Sequence, residues 1–156
     1  MVRKATIDDI SAIAELYREQ FREMSKLIPD FIKEGDQSIE FLEKTISNDD
    51  SDILVYEYDS SVVGFIFLQA KQRPDFQFIV SGKHCFIMDL IVTENHHGKG
   101  IGTALMNSAK NWAKLHNCNI LTLDVLSNNP KAIDLYEKLG FIPKAQEMYF
   151  KIDCEK

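Results

Sequence analysis

His84-Cys85-Phe86-Ile87-Met88-Asp89-Leu90-Ile91-Val92 runs through Thr93-Glu94-Asn95-His96 into His97-Gly98-Lys99-Gly100-Ile101-Gly102-Thr103-Ala104-Leu105. The first nine residues are almost all apolar, the composition of a central strand covered on both faces. From Ala104 onward, Leu105, Ala109, Trp112, Ala113 and Leu115 recur at helical spacing. The order is strand, glycine-rich turn, helix. At such a junction the unpaired N–H groups of the first helical turn meet the positive end of the helix dipole. Glycines there let the backbone approach a phosphate and take up positive φ without a side-chain clash. Gly98, Gly100 and Gly102 alternate, so they match neither the G-x-G-x-x-G of a dinucleotide fold nor a Walker A loop. A purely structural turn is the competing reading, and the flanking strand and helix weigh toward phosphate.

Outward from this stretch, both flanks read as α/β. Residues 2–6 suggest a short strand, with Thr6 and Asp8-Asp9 offering cap chemistry to a helix whose apolar stripe is Ile10, Ile13, Ala14, Leu16, Tyr17, Phe21 and Met24. Ile39, Phe41, Leu42 and Ile46 suggest a second helix, closed by Ser47-Asn48-Asp49-Asp50. Segments 52–58 and 62–71 flank Asp59-Ser60-Ser61 as a hairpin. Downstream, residues 120–125 form a strand, Asn128-Asn129-Pro130 opens a helix over 131–139 that Gly140 stops, and a last strand is expected around 148–152. No repeat or linker interrupts the pattern, so residues 1–156 read as one domain with a mixed sheet and helices on its faces. The length agrees, since 156 residues bury roughly 70% of the unfolded surface around one core.

Composition narrows the function. The formal charge is −6, and residues 1–60 hold 7 Lys+Arg against 15 Asp+Glu while residues 61–156 hold 11 against 9. This argues against nucleic acid, which is held by basic stripes. A phosphate-bearing ligand is expected in the second half and a cationic one near the first, unless the acids merely solvate helix faces. The longest apolar runs, such as residues 62–68, fall short of the ~20 residues that cross a bilayer, and the amino terminus has no apolar signal core, so a cytoplasmic protein without membrane contact is expected. Cys85, Cys118 and Cys154 are odd in number and lack ligand spacing, which predicts idle thiols. His96-His97 as a metal pair lacks a third ligand, so no metal is expected.

Leu90-Ile91-Val92 leading into His97-Gly98-Lys99-Gly100-Ile101-Gly102-Thr103-Ala104-Leu105 resembles the acyl-CoA loop of the GNAT superfamily of N-acetyltransferases, whose core pattern is Gln/Arg-x-x-Gly-x-Gly/Ala. Asn129, Ala132, Leu135-Tyr136 and Leu139-Gly140-Phe141 resemble that family's second signature, and with the opening Arg3-Lys4-Ala5-Thr6-Ile7-Asp8-Asp9 the likeness spans nearly the whole chain. It implies a mostly antiparallel central sheet flanked by helices, with acetyl-CoA as co-substrate. The backbone from Gly98 through Lys99, Gly100, Ile101 and Gly102 to Thr103 would cradle the pyrophosphate. Main-chain groups of Leu90, Ile91 and Val92 would pair with the pantetheine arm like an added strand. His97 stands where the family usually has Gln or Arg, which makes cofactor affinity fall as pH rises if it contacts phosphate. Lys99 reads equally as a phosphate ligand or a solvated loop lysine. Asn129 is a helix cap, a partner for the pantetheine arm, or both.

Acetyl transfer to an amine needs a neutral nitrogen, a stabilised oxyanion and a proton for the departing thiolate. A lysine-like amine at pKa ~10.4 costs roughly 4 kcal/mol to neutralise at pH 7, an α-amino group at ~8 only about 1. Tyr136 is the expected acid, by its ordinary phenol pKa and by the resemblance. For the base, Phe86 and Met88 stand where some family members carry a glutamate. Asp89 shares that strand, but Asp124 in Leu123-Asp124-Val125 resembles the Leu-Glu-Val of members that acetylate peptide N-termini and is preferred, with burial among apolar residues expected to raise its pKa. His84 and water stay open. The cysteines show no paired base, so the amine attacks acetyl-CoA directly. The expected acceptor is a small cationic or peptide primary amine, bound by segments 17–37 and 71–82, and many similar proteins are homodimers. The rival reading is a non-catalytic acyl-CoA-binding or regulatory domain of the same fold.

Overall fold

The computed structural model describes residues 1–152, which fall into two compact units, Met1–Asp124 and the residues from Val125 on. The helices are α1 (Ile10–Leu27), α2 (Ile39–Ile46), α3 (Ile101–Leu115) and α4 (Pro130–Lys138); the strands are β1 (Val2–Lys4), β2 (Ser51–Tyr58), β3 (Ser61–Gln72), β4 (Lys83–Val92) and β5 (Cys118–Leu123). All five strands belong to the first unit and lie side by side in chain order. Neighbours are antiparallel except β4 and β5, which are parallel. A parallel step needs a crossover connection, and α3 supplies it.

The hairpin of β2 and β3 turns on Asp59 and Ser60 at φ 48° and 61°, the paired left-handed residues whose twist suits two right-twisted strands. From Val63 to Leu68, β3 is buried on both faces, as the middle strand of a covered sheet must be. Strand alternation sends Phe65 and Phe67 to one face and Ile66 and Leu68 to the other. On the first face α1 and α2 bring Ile13, Leu16, Tyr17 and Leu42 against Phe65, Phe67, Ile53, Val55 and Ile91. Tyr17 packs at 5.0 Å from Phe65 and Phe41 edge-on at 5.8 Å from Phe67. Each such side chain contributes roughly 1.5–3 kcal/mol by leaving water. On the sheet α3 buries Ile101, Leu105, Met106, Ala109, Trp112 and Ala113. Buried Asp52 on β2 fixes that helix by accepting from Trp112 Nε1 at 2.7 Å while Lys4 Nζ stands 2.6 Å from its other oxygen.

The second unit contains α4, started by Asn129, whose Oδ1 accepts from Ala132 N at 3.3 Å, with Pro130 in the first turn where a missing N–H costs nothing. Gly140 ends it at φ +90°. The strand expected around 148–152 is not formed. Residues 141–152 belong to no strand and are mostly exposed; an alternating pattern describes a face, and becomes a strand only where a neighbouring strand pairs with it.

Candidate active site

The strand β4 has two unlike halves. Against β5 it pairs only from Lys83↔Cys118 to Ile87↔Leu123. Against β3 the register slips at the same place: Leu68 faces Ile87, Phe67 faces Asp89, and Met88 is the extra residue. Such a bulge bends its strand and sharpens the twist, so β4 leaves β5 where the bulge begins. From Asp89 to Val92 it keeps β3 on one side, and no described strand lies on the other.

Ladder parity decides which groups face that opening. Thr93 N donates to Val63 O at 2.9 Å, which makes 63 and 93 a closely bonded pair. Two residues along, Phe65↔Ile91 and Phe67↔Asp89 are bonded pairs as well. Leu90 and Val92 therefore turn their N–H and C=O groups away from β3 toward the open edge, while Ile91 spends its own on Phe65.

The open edge runs into the glycine turn. Gly98 and Gly100 have φ +74° and +77°, and Gly100 caps α3 with no side-chain hydrogen bond. The first intrahelical bond is Ala104 N donating to Gly100 O at 3.0 Å, so the N–H groups of Ile101, Gly102 and Thr103 are the donors a helix start leaves over. A Cβ on Gly98 or Gly100 would meet no atom within 4 Å, so the turn itself is not packed against other residues at these two positions. Lys99 is exposed beside them. The donor set, uncapped amides with a helix dipole behind them, fits a diphosphate.

His97 ties the two parts together. Its Nε2–H donates to Val92 O at 2.6 Å, and its backbone N donates to Glu94 O at 3.1 Å. The carbonyl of Val92 is thereby taken. With one ring proton committed there, Nδ1 donates to a phosphate only when the imidazole carries a second proton.

Two carboxylates lie near the opening. Asp124 follows Leu123, the last residue of β5 paired to β4, and is exposed, so the burial expected from its apolar sequence neighbours is absent. Asp89 sits beside the bulge, half-buried, with Oδ2 accepting from the Tyr17 hydroxyl at 2.7 Å. Burial pushes the Asp89 carboxyl above the ordinary carboxylate range, partly offset by the Tyr17 hydrogen bond. Burial, with the Asp89 charge, pushes the Tyr17 phenol up as well, and Gln37 also hydrogen-bonds Tyr17. His84 lies in the closed half of β4, opposite Ile120.

In the second unit, Tyr136 is half-buried on α4 with its ring edge-on to Phe141 at 5.8 Å, and Phe141 N donates to Tyr136 O at 3.0 Å. Asn129 caps the same helix through Oδ1, which leaves its side-chain amide N–H groups for another partner. Cys85 and Cys118 are buried, and burial pushes Cys85 up to about 12 and Cys118 in the same direction. Both are thiols near neutrality, unfit as nucleophiles. Cys154 lies outside the described residues.

Sequence reasoning passes over Tyr17, which reads as one apolar position in a stripe, and over Gln37. A cleft of about 290 Å³ opens in the segment between α1 and α2, lined by Phe21, Phe31, Ile32, Lys33, Glu34 and Asp36. Its carboxylates are partnered, Asp36 by Arg18 at 2.7 Å and Glu34 by Arg22 at 3.9 Å. Phe21 packs 5.5 Å from Tyr17, which in turn donates to Asp89.

Comparison with known proteins identifies the family. The family model described as the acetyltransferase (GNAT) family matches residues 10–141. The uncharacterized N-acetyltransferase YhfO of Bacillus subtilis is 32% identical over 143 residues, covering 90% of this chain and 88% of its own. An N-alpha-acetyltransferase of Sulfurisphaera tokodaii is 37% identical over 95 residues, 56% of this chain and 54% of its own. A crystal structure of a point mutant of the BH1408 protein from Bacillus halodurans superimposes with a TM-score of 0.93 over 97% of this chain and 99% of that one, at 22% identity, a likeness of fold. With the glycine turn, the open strand edge and these matches in one chain, the protein belongs to the acetyltransferase (GNAT) family and is an N-acetyltransferase.

Proposed function

We propose that the protein transfers an acetyl group from acetyl-CoA directly to a primary amine, and that its two units work as one domain, as the family match running across the division at Asp124 supports. One observation carries the reading: the open edge of β4 leads straight into an uncapped helix start behind two left-handed glycines. Leu90 N–H and C=O and Val92 N–H bind the amide-bearing arm of the cofactor as an added strand binds a sheet edge. Ile101, Gly102 and Thr103 amides hold the diphosphate, with Lys99 adding charge. The Asn129 side-chain N–H groups bind the arm's carbonyl. The bound cofactor supplies a thioester carbonyl open to attack by nitrogen. Tyr136 gives its phenol proton to the departing sulfur, a role drawn from the family's second signature. No acyl-enzyme forms, since Cys85 and Cys118 are buried thiols.

The acceptor is a small cationic amine or a peptide amine. Similarity to an N-alpha-acetyltransferase supports the peptide amine, and the side of the cleft formed by Phe21, Phe31 and Ile32, beside its charged Lys33, Glu34 and Asp36, supports an acceptor with a hydrophobic neighbour to its amine. Pairing of Glu34 and Asp36 with arginines weakens the case for a strongly cationic one.

The test is calorimetric titration with coenzyme A, then thiol release from acetyl-CoA against a panel of polyamines, amino sugars and short peptides. Expected are binding, transfer to at least one amine, and for Tyr136→Phe unchanged affinity with kcat lowered roughly 10²–10⁴-fold. Binding without transfer to any amine, with Tyr136→Phe indistinguishable, would establish the non-catalytic reading instead.

A further inference from the structure

We propose that Asp89 is the general base of the transfer and that Tyr17 is its positioning residue, Tyr17 Oη clamping Asp89 Oδ2 while Oδ1 receives the proton of the incoming amine. The inference rests on the acetyltransferase reading above. Three observations bring the residues together. First, Asp89 stands next to the bulge that separates β4 from β5, one residue before Leu90, where the edge becomes free. Second, its two oxygens are unlike. Oδ2 is held at 2.7 Å by the hydroxyl of Tyr17, a residue only 1% exposed, whereas Oδ1 accepts no hydrogen bond among the described residues, on a residue that is half-buried rather than buried. Third, the ring of Tyr17 packs 5.5 Å from that of Phe21, which also lines the cleft between α1 and α2, so a single side chain separates the residue that holds Asp89 from that cleft.

The neighbourhood suits proton transfer. From α1 the titratable group facing Asp89 is Tyr17, hydrogen-bonded also by Gln37; from β3 the facing residue is Phe67; β5 has ended at Leu123. No ion pair reaches Asp89 among the described residues, so no cation holds it ionised and weakly basic. Burial raises its proton affinity toward that of a useful base, and the phenol limits the rise. The step balances: the nitrogen lone pair forms the C–N bond, the C–S bond breaks, the amine proton passes to Asp89 Oδ1, and the sulfur takes a proton from Tyr136. Solvent then restores both side chains.

Asp89→Asn separates this role from a structural one. An asparagine carbonyl still accepts the Tyr17 hydrogen bond, so a merely structural aspartate is rescued and a base is not. Expected for Asp89→Asn are an unchanged coenzyme A affinity, a thermal midpoint no lower than wild type because a buried charge is gone, and kcat down at least roughly 100-fold. For Tyr17→Phe the acid limb of the pH–rate profile moves to higher pH. In the free protein, carbon-13 titration of the Asp89 carboxyl shows a midpoint above that of ordinary aspartates, higher still in Tyr17→Phe. Asp89→Asn turning over like wild type would overturn the assignment while leaving the acetyltransferase reading intact. An ordinary Asp89 midpoint that ignores Tyr17→Phe would overturn it too. A wild type that transfers to no amine would overturn both.

Discussion

The two halves of β4 differ by one residue of register and by everything that follows from it. From Lys83 to Ile87 the strand is paired on both sides, and Cys85 is buried, its thiol pushed up to about 12. From Asp89 to Val92 it keeps one partner, and the bulge at Met88 turns Leu90 and Val92 outward. The first half is scaffold, with a strand paired along each side. The second half is an open edge, in which Leu90 and Val92 turn backbone groups away from β3, the Val92 carbonyl to the ring of His97. A sheet thus acquires an open edge by losing a neighbour partway along a strand, with no new element added.

The comparison breaks most severely at Phe67, which faces Asp89 across the bulge and is fully buried. Phe67→Ala is expected to cost about 3–5 kcal/mol, read from urea unfolding, and to abolish coenzyme A binding before it abolishes the fold. Gly64 comes next. It pairs with Val92, and even a methyl group there would lie 2.8 Å from the Ile91 carbonyl oxygen. Gly64→Ala therefore pushes the open half outward, at about 1–3 kcal/mol, with weaker coenzyme A binding by calorimetry. Hydrogen exchange sharpens the contrast: the Leu90 and Val92 amides should exchange at least roughly tenfold faster than those of 85–87, about 1.4 kcal/mol of opening, and slow on adding coenzyme A. The mildest change is Gly100→Ala, which places a side chain at φ +77° in open space. It should cost about 1 kcal/mol in thermal unfolding and reduce coenzyme A affinity with little effect on the acceptor.

How much of this is legible without the structure depends on the range of the interaction. The hairpin at Asp59-Ser60, the helix stripes and the cap at Asn129 follow from residues within a few positions of one another, and each forms as its pattern predicts. The strand expected at 148–152 does not form, since alternation describes a face and says nothing of the partner that must pair with it. Asp124 reads as buried from its apolar neighbours, but the strand ends at Leu123 and leaves it exposed. Whether His97 reaches a phosphate stays open in the sequence, and the fold adds that its Nε2 is bound to Val92 O.

By itself the order of residues determined most of the succession of strands and helices and the glycine-rich turn at Gly98 to Gly102, because periodicity, capping and glycine's freedom act over less than two helical turns. Only the folded sheet decided where β5 parts from β4, which backbone groups face the gap, and that a tyrosine 72 positions away would hold Asp89 by one oxygen. Register and side-chain meeting across such separations are set by the packing of whole layers, and no local pattern encodes them.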